Sequence, residues 1–492
     1  MKPLLLIIFT FLIFVSSAQI SVPIPSINKV KVELIKFIED EKLKNASIGF
    51  YAIELETGKV IAEYNPDMSL IPASILKLVT TATALEVLGE NFRFKTTIQY
   101  NGEIDSTGTL NGNIFIKGGG DPTLGSKLFE KNYFEPFFMD TWADSIVSFG
   151  IDSINGAIIG DASIFNKNMI PGTWIWGDIG NYYGASANGL SIYENTYKIK
   201  FKSGTSHGDT TEIVDIEPTI PNIEFDNHVW SSNINKDNAY IYGAPFNNYR
   251  YIEGSIPRNR DEFIVKGSIP DPPYLTSLDF NSVLERREIG IGLPATTLRK
   301  LSIVKDTISR KDICITYSPR LKNIIYWTNL KSNNLFAEHM LNYLGYLKYS
   351  TGDNKSGTEA VEEFWKSKGI NTSGMYINDG SGLSRYNVIT TKQIVDILQY
   401  MKLKSKNYDV LNKSFPIAGK TGTLRSMCKG TPGQGKIRAK SGTMTRVKSY
   451  AGYVTAVNDK ELAFAIIVNN YNGSSVALRK KIEKIFDALA MY

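Results

Sequence analysis

The sequence predicts an α+β fold: one antiparallel sheet drawn from both ends of the chain, helices packed against it, and a large β-rich insert between. Three observations carry this. Ser47–Leu55 and Val60–Tyr64 alternate around the turn Glu56-Thr57-Gly58-Lys59, which reads as a hairpin. Gly435–Lys440, Val447–Thr455 and Glu461–Val468 read as three more strands with tight turns, closed by a helix at Leu478–Leu489. From about Phe92 to Ile291, short strand candidates alternate with Gly, Asn and Pro turns.

Taken in order, Met1–Ala18 has the form of a secretory leader: Lys2, an apolar run from Leu4 to Val15, then Ser16-Ser17-Ala18 as a cleavage site. The run is short for a bilayer span, and no later stretch is long and apolar enough for one. Residues 19–91 and 292–492 are expected to form one discontinuous domain, and 92–291 the insert, in two subdomains. Ile27–Leu43 is an amphipathic helix rich in Lys and Glu. Ser74–Leu88 is a second helix, with Ile75, Leu78, Val79, Ala82 and Leu85 on one apolar stripe and Gly89 as its stop. Inside the insert, strands are expected at Lys95–Tyr100, Asn113–Lys117, Tyr197–Lys202, Thr211–Ile216 and Phe263–Gly267. Helices are expected again at Ser318–Leu330, Leu335–Leu347, Gly357–Ser367 and Thr391–Leu403.

Composition narrows the function. The chain has 492 residues, 42% hydrophobic and 21% charged, which is ordinary for a soluble globular protein of two or three domains. A net charge of +6 with scattered lysines gives no nucleic-acid stripe. Cys314 and Cys428 make no disulfide framework and no zinc set. His207, His228 and His339 stand far apart, so a Ser-His-Asp site is disfavoured. No metal or organic cofactor is implied. Gly118-Gly119-Gly120-Asp121-Pro122 lacks the Gly-Lys-Ser/Thr of a phosphate loop and reads as a turn. The aromatic run Trp174-Ile175-Trp176 with Tyr182-Tyr183 reads as a small core or a wall for a peptide or glycan.

Chemistry concentrates in three short segments. Ser74 and Lys77 lie one turn apart at a helix start, where a buried Lys can deprotonate the hydroxyl and helix N–H groups favour developing negative charge. Ser332-Asn333-Asn334 precedes a helix and offers a hydroxyl to relay a proton and an amide to orient Lys77 or substrate. Lys440-Ser441-Gly442-Thr443 opens the last strand series. There Lys440, Ser441 and Thr443 can hold a carboxylate, and Gly442 can admit substrate backbone to the strand edge. Backbone N–H groups of Ser74 and Thr443 would form an oxyanion hole. Lys440 would also help to depress the Lys77 pKa. Whether Lys77 acts alone as base stays open. Lys420-Thr421-Gly422 is a rival third segment, but a turn-rich stretch follows it, whereas Lys440 leads into three strands.

With Gly118–Leu124, Ile159–Phe165, Asp379–Arg385 and Arg438–Thr443, these segments make the chain resemble the D-alanyl-D-alanine carboxypeptidase/endopeptidases of the penicillin-binding protein 4 type. The likeness covers nearly the whole chain after the leader, and the large insert is itself a family mark. It departs from the family pattern at Ser441, commonly Thr, and in carrying a Lys-Thr-Gly at Lys420. The resemblance implies a sheet-and-helix domain like that of penicillin-binding transpeptidases and serine β-lactamases. It implies a periplasmic DD-peptidase acting on peptidoglycan peptides and cross-links through an acyl-enzyme, with β-lactams as inhibitors. It also implies that Asp161 and Arg385 line the substrate cleft, with Asp161 binding a free ammonium of the stem peptide. The rival readings are a β-lactamase, and a wall-binding protein that has lost catalysis. Oligomeric state is left open.

Overall fold

Both ends of the chain enter one sheet, as their alternating patterns require. In the computed structural model, which describes residues 28–129, 137–168, 170–301 and 309–492, its order is Ile437–Met444, Val447–Thr455, Glu461–Asn469, Ser47–Glu54, Val60–Tyr64, antiparallel throughout. The leader Met1–Ala18 lies outside the described residues. Along Ser47–Glu54 the side chains part to two faces. Ile48, Phe50 and Ala52 join Leu34 and Phe37 of the helix Lys29–Ile38 and Ile482 and Phe486 of the helix Ser475–Ala490. Tyr51 and Ile53 join Leu78, Val79, Ile394 and Leu398 on the other side. Burying each large side chain here contributes roughly 1.5–3 kcal/mol.

The second helix differs from expectation in two ways. Ala73–Ile75 is a 3₁₀ turn, and the α-helix proper is Leu76–Leu88, ended by Gly89 at φ 80°. Rather than one stripe, every residue from Leu76 to Leu85 is buried. A helix enclosed on all sides keeps polar residues only where they find partners. Thr80 donates to the Gly380 carbonyl at 2.8 Å, Thr81 to Lys77 O at 2.7 Å, and Thr83 to Val79 O at 2.8 Å. The helices Leu321–Lys331, Asn334–Tyr349, Asn354–Ser367 and Thr391–Lys404 fall where the periodicity put them. Asp353 and Thr390 cap the last two.

The region after Leu88 carries the expected strands at Lys95–Tyr100, Ile114–Gly118, Thr196–Ser203, Thr211–Glu217 and Phe263–Ser268. It also carries Glu224–Ser232 and Tyr249–Pro257, a parallel pair, and the helices Phe137–Ser148 and Pro272–Arg286, none of which was expected. The second helix had a legible start: Asp271 caps it, accepting from Tyr274 N, and Pro272 and Pro273 open it. The boundary expected at residue 291 does not match a change of sheet. Thr296–Thr297 pairs with Ile158–Asp161, and Lys311–Tyr317 pairs with Lys95–Tyr100, so the insert's largest sheet extends past it. One apolar cluster, including Ile116, Trp142, Ile199, Ile252 and Phe280, runs through strands that were expected to separate into two subdomains.

Candidate active site

Ser74 is half-buried, between the buried Ala73 and Ile75 of a closed turn. Ser449 Oγ donates to Pro72 O at 2.5 Å, and the Asn469 amide bonds both Ile71 N and Ile71 O at 2.9 and 3.0 Å. Ala73 is held at φ 48°, a left-handed conformation that costs a non-Gly residue energy and fixes where Ser74 points. Gly442 belongs to this packing. A Cβ there would lie 2.2 Å from Ser449 Oγ, 2.7 Å from Pro72 O and 3.0 Å from Ser74 N. Its small size therefore allows the close approach of this strand to the Ser74 turn.

Lys77 is fully buried beneath Ser74. Its Nζ is 3.0 Å from Ser74 Oγ, 2.6 Å from Asn334 Oδ1 and 2.6 Å from the Ser381 carbonyl. Burial lowers its pKa to about 7, against the opposing pull of the Asp379 and Glu338 carboxylates. Those carboxylates are structural. Glu338 accepts from the backbone N–H groups of Ser381 and Gly380 at 2.7 and 3.1 Å. Asp379 accepts from Gly382 N, Ser384 N, Asn387 Nδ2 and Trp174 Nε1. Together they aim the Ser381 carbonyl at Lys77.

Ser332 and Asn333 form the joint between Leu321–Lys331 and Asn334–Tyr349, with Ser332 left-handed at φ 59°. Lys440, also fully buried, donates to Ser332 Oγ at 2.9 Å and to Ser441 O at 2.7 Å. Burial and the neighbouring Lys77 push its pKa well down. Lys420 is exposed and stands apart from these groups, although Thr423 of its segment bonds Ser441 Oγ at 2.7 Å. Ser74, Ser332, Asn334, Arg385 and Thr443 all line one cleft of about 870 Å³.

Asp161 lies outside that cleft. It is 2% exposed and paired with the buried Arg310 at 2.8 Å, which neutralises it, so the ammonium-binding role expected of it is not available. The carboxylates that line the cleft are Glu194 and Asp178, the latter beside Arg385. Burial raises the Asp178 pKa, and Arg385 draws it back. The aromatic run divides: Trp174 is buried against Asp379, whereas Trp176 and Tyr182 are each 55% exposed. Lys448 was also missed. It donates to Thr443 Oγ1 at 2.8 Å because the hairpin register sets the two residues opposite each other, and reading the turn at Thr445-Arg446 would have shown this. His339 is buried, its pKa lowered to about 4 by burial, and it ties Ser191 to the Gly120 carbonyl.

A hydroxyl whose basic neighbour is a desolvated amine, with a second buried lysine close by, defines a serine hydrolase that works without histidine. The chain belongs to the D-Ala-D-Ala carboxypeptidase 3 (S13) family, whose pattern matches residues 30–491. It is 26% identical over 467 residues to a D-alanyl-D-alanine carboxypeptidase of an Actinomadura species, covering 91% of this chain and 82% of that one. Its fold matches the crystal structure of penicillin binding protein 4 from Haemophilus influenzae with a TM-score of 0.78, at 23% identity, over 93% of this chain and 99% of that one. The same protein complexed with a β-lactam matches with a TM-score of 0.75, at 22% identity, over 94% and 100%. The α+β expectation and the penicillin-binding protein 4 resemblance both hold. Among the described residues no helix is long and apolar enough to cross a membrane.

Proposed function

We propose that this protein is a serine DD-carboxypeptidase and DD-endopeptidase that cleaves D-Ala-D-Ala termini and D-Ala cross-links of peptidoglycan through an ester on Ser74. The observation that carries the reading is the set of partners around Lys77 Nζ. Two of the three, Asn334 Oδ1 and Ser381 O, are carbonyl oxygens and only accept. A neutral amine gives them its two N–H bonds, and its lone pair is left facing Ser74, the one neighbour that can donate. Lys77 takes the Ser74 proton as Oγ attacks the carbonyl of the penultimate D-Ala. The oxyanion forms between the N–H groups of Ser74 and Thr443. The proton passes through the Ser332 hydroxyl to the leaving amine, whose carboxylate rests on Lys440, Ser441 and Thr443. Water then cleaves the ester, with Lys77 again as base. The family and the leader-like N-terminus support action outside the cytoplasm, in the periplasm, and no cofactor is called for.

The test is intact-protein mass spectrometry after incubation with benzylpenicillin, followed by peptide mapping. A long-lived adduct on the peptide containing Ser74 is expected, together with D-alanine release from a D-Ala-D-Ala peptide. Fast loss of the adduct with drug hydrolysis would make the protein a β-lactamase. No adduct and no turnover on folded protein would leave only the wall-binding reading.

Asp178 and Arg385 together suit a substrate side chain that ends in an amino acid, carrying both an ammonium and a carboxylate. Asp178→Asn is expected to lower kcat/KM on such peptides about tenfold to a hundredfold. Peptides with a blocked amine should be unaffected. Equal losses on both substrates would refute the pairing.

A further inference from the structure

Three consecutive non-glycine residues of the insert, Tyr193, Glu194 and Asn195, are left-handed, at φ 54°, 56° and 50°. L-residues adopt this conformation singly and against a steric preference, so a run of three persists only where the surroundings impose it. They do so here. Asn195 Nδ2 donates to Ser186 O at 2.9 Å and to Ser191 Oγ at 2.8 Å, and its Oδ1 accepts from Ile192 N. Tyr193 N donates to Leu124 O, and Ile269 N donates to Asn195 O, each at 2.8 Å.

What the turn achieves is to aim Glu194 at the catalytic joint. One carboxylate oxygen accepts from Ser126 Oγ at 2.8 Å, and the other from Asn333 Nδ2 at 2.8 Å. Asn333 stands between Ser332 and Asn334. Its Oδ1 already accepts from Phe336 N at 3.1 Å, capping the helix that presents Asn334. With the oxygen so used, its NH₂ needs an acceptor, and Glu194 supplies one. A neighbouring insert carbonyl acts in parallel: Tyr183 O accepts from Asn334 Nδ2 at 2.7 Å. We propose that Glu194 is a positioning residue, through which the insert holds Ser332 and Asn334 at working distance from Lys440 and Lys77. This deepens the DD-peptidase reading and rests on it.

The experiment compares full-length wild type, Glu194→Ala and Glu194→Gln. It measures kcat and KM for D-alanine release per penicillin-titrated site, acylation and deacylation rates with benzylpenicillin, and the melting temperature. Glu194→Ala is expected to lower kcat and the acylation rate on the order of 10²-fold, with KM changed less than about twofold. Gln keeps an oxygen for Asn333 and can donate to Ser126, so it should restore both to within about threefold. Full kcat per titrated site, with only a lower melting temperature, would overturn the proposal in favour of a merely structural role. A defect confined to deacylation in both variants would overturn it too, making Glu194 the base for water. Failure of wild type to acylate at all would instead remove the DD-peptidase reading beneath it.

Discussion

Ser74→Ala is expected to lower D-alanine release on the order of 10⁶-fold, the scale of loss when a serine hydrolase loses its nucleophile. No second hydroxyl of the catalytic set stands ready to replace it, since Ser332 Oγ accepts from Lys440 and Ser441 Oγ bonds Thr423. The fold should be spared. Among the described residues Ser74 Oγ bonds the Lys77 side chain alone, while the turn itself is pinned through Pro72 and Ile71. Melting should therefore shift by no more than a few degrees. Substrate should still bind, because Arg385, Ser441 and Thr443 are untouched. Turnover above about a thousandth of wild type, measured as free D-alanine, would show that Ser74 is not the nucleophile.

Lys77→Met should be less severe but still large, lowering the rate of acylation by benzylpenicillin about 10²-fold to 10⁴-fold, the range of a lost general base. In the wild type the same group sets a pH limb. Burial lowers the Lys77 pKa from 10.5 to about 7, so the free amine dominates above that pH. Below it the amine takes up a proton, and acylation should fall tenfold per unit as pH drops. Above it the rate should level off on this limb. A rate still rising with slope one between pH 8 and 10 would mean that Lys77 is an ordinary ammonium at neutral pH and not the base.

Much of this site could be read before any coordinate. Ser74 and Lys77 are three apart in a helical turn, so spacing alone makes them neighbours. Ser332 and Asn334 flank a helix start, and Lys440 begins a strand whose alternation is clear. The groups that escaped notice act across the chain. Glu338 and Asp379 meet at the Ser381 turn, and Glu194 reaches Asn333 from the insert. Such contacts depend on how sheets and loops dock, which no local period encodes. Asp161 shows the converse. Its segment resembles a family signature, yet the carboxylate is consumed by Arg310, which lies outside every motif. Two longer helices of the insert, Phe137–Ser148 and Pro272–Arg286, were lost among turn-rich strands, although Asp271 and its prolines marked the second.

The neighbour relations in the central sheet also govern when the enzyme comes into being. Ser47–Glu54 pairs on one side with Glu461–Asn469, made far later in the chain. The strand bearing Lys440 is joined to that late strand through Val447–Thr455. Ser74, Lys77 and Lys440 therefore share one space only after the early and the late strands have both been made. Loop closure over such a separation is slow, and it leaves the first hairpin without its inner partner until the end. A wall-cutting peptidase wired in this order assembles its site only when the late strands join the sheet.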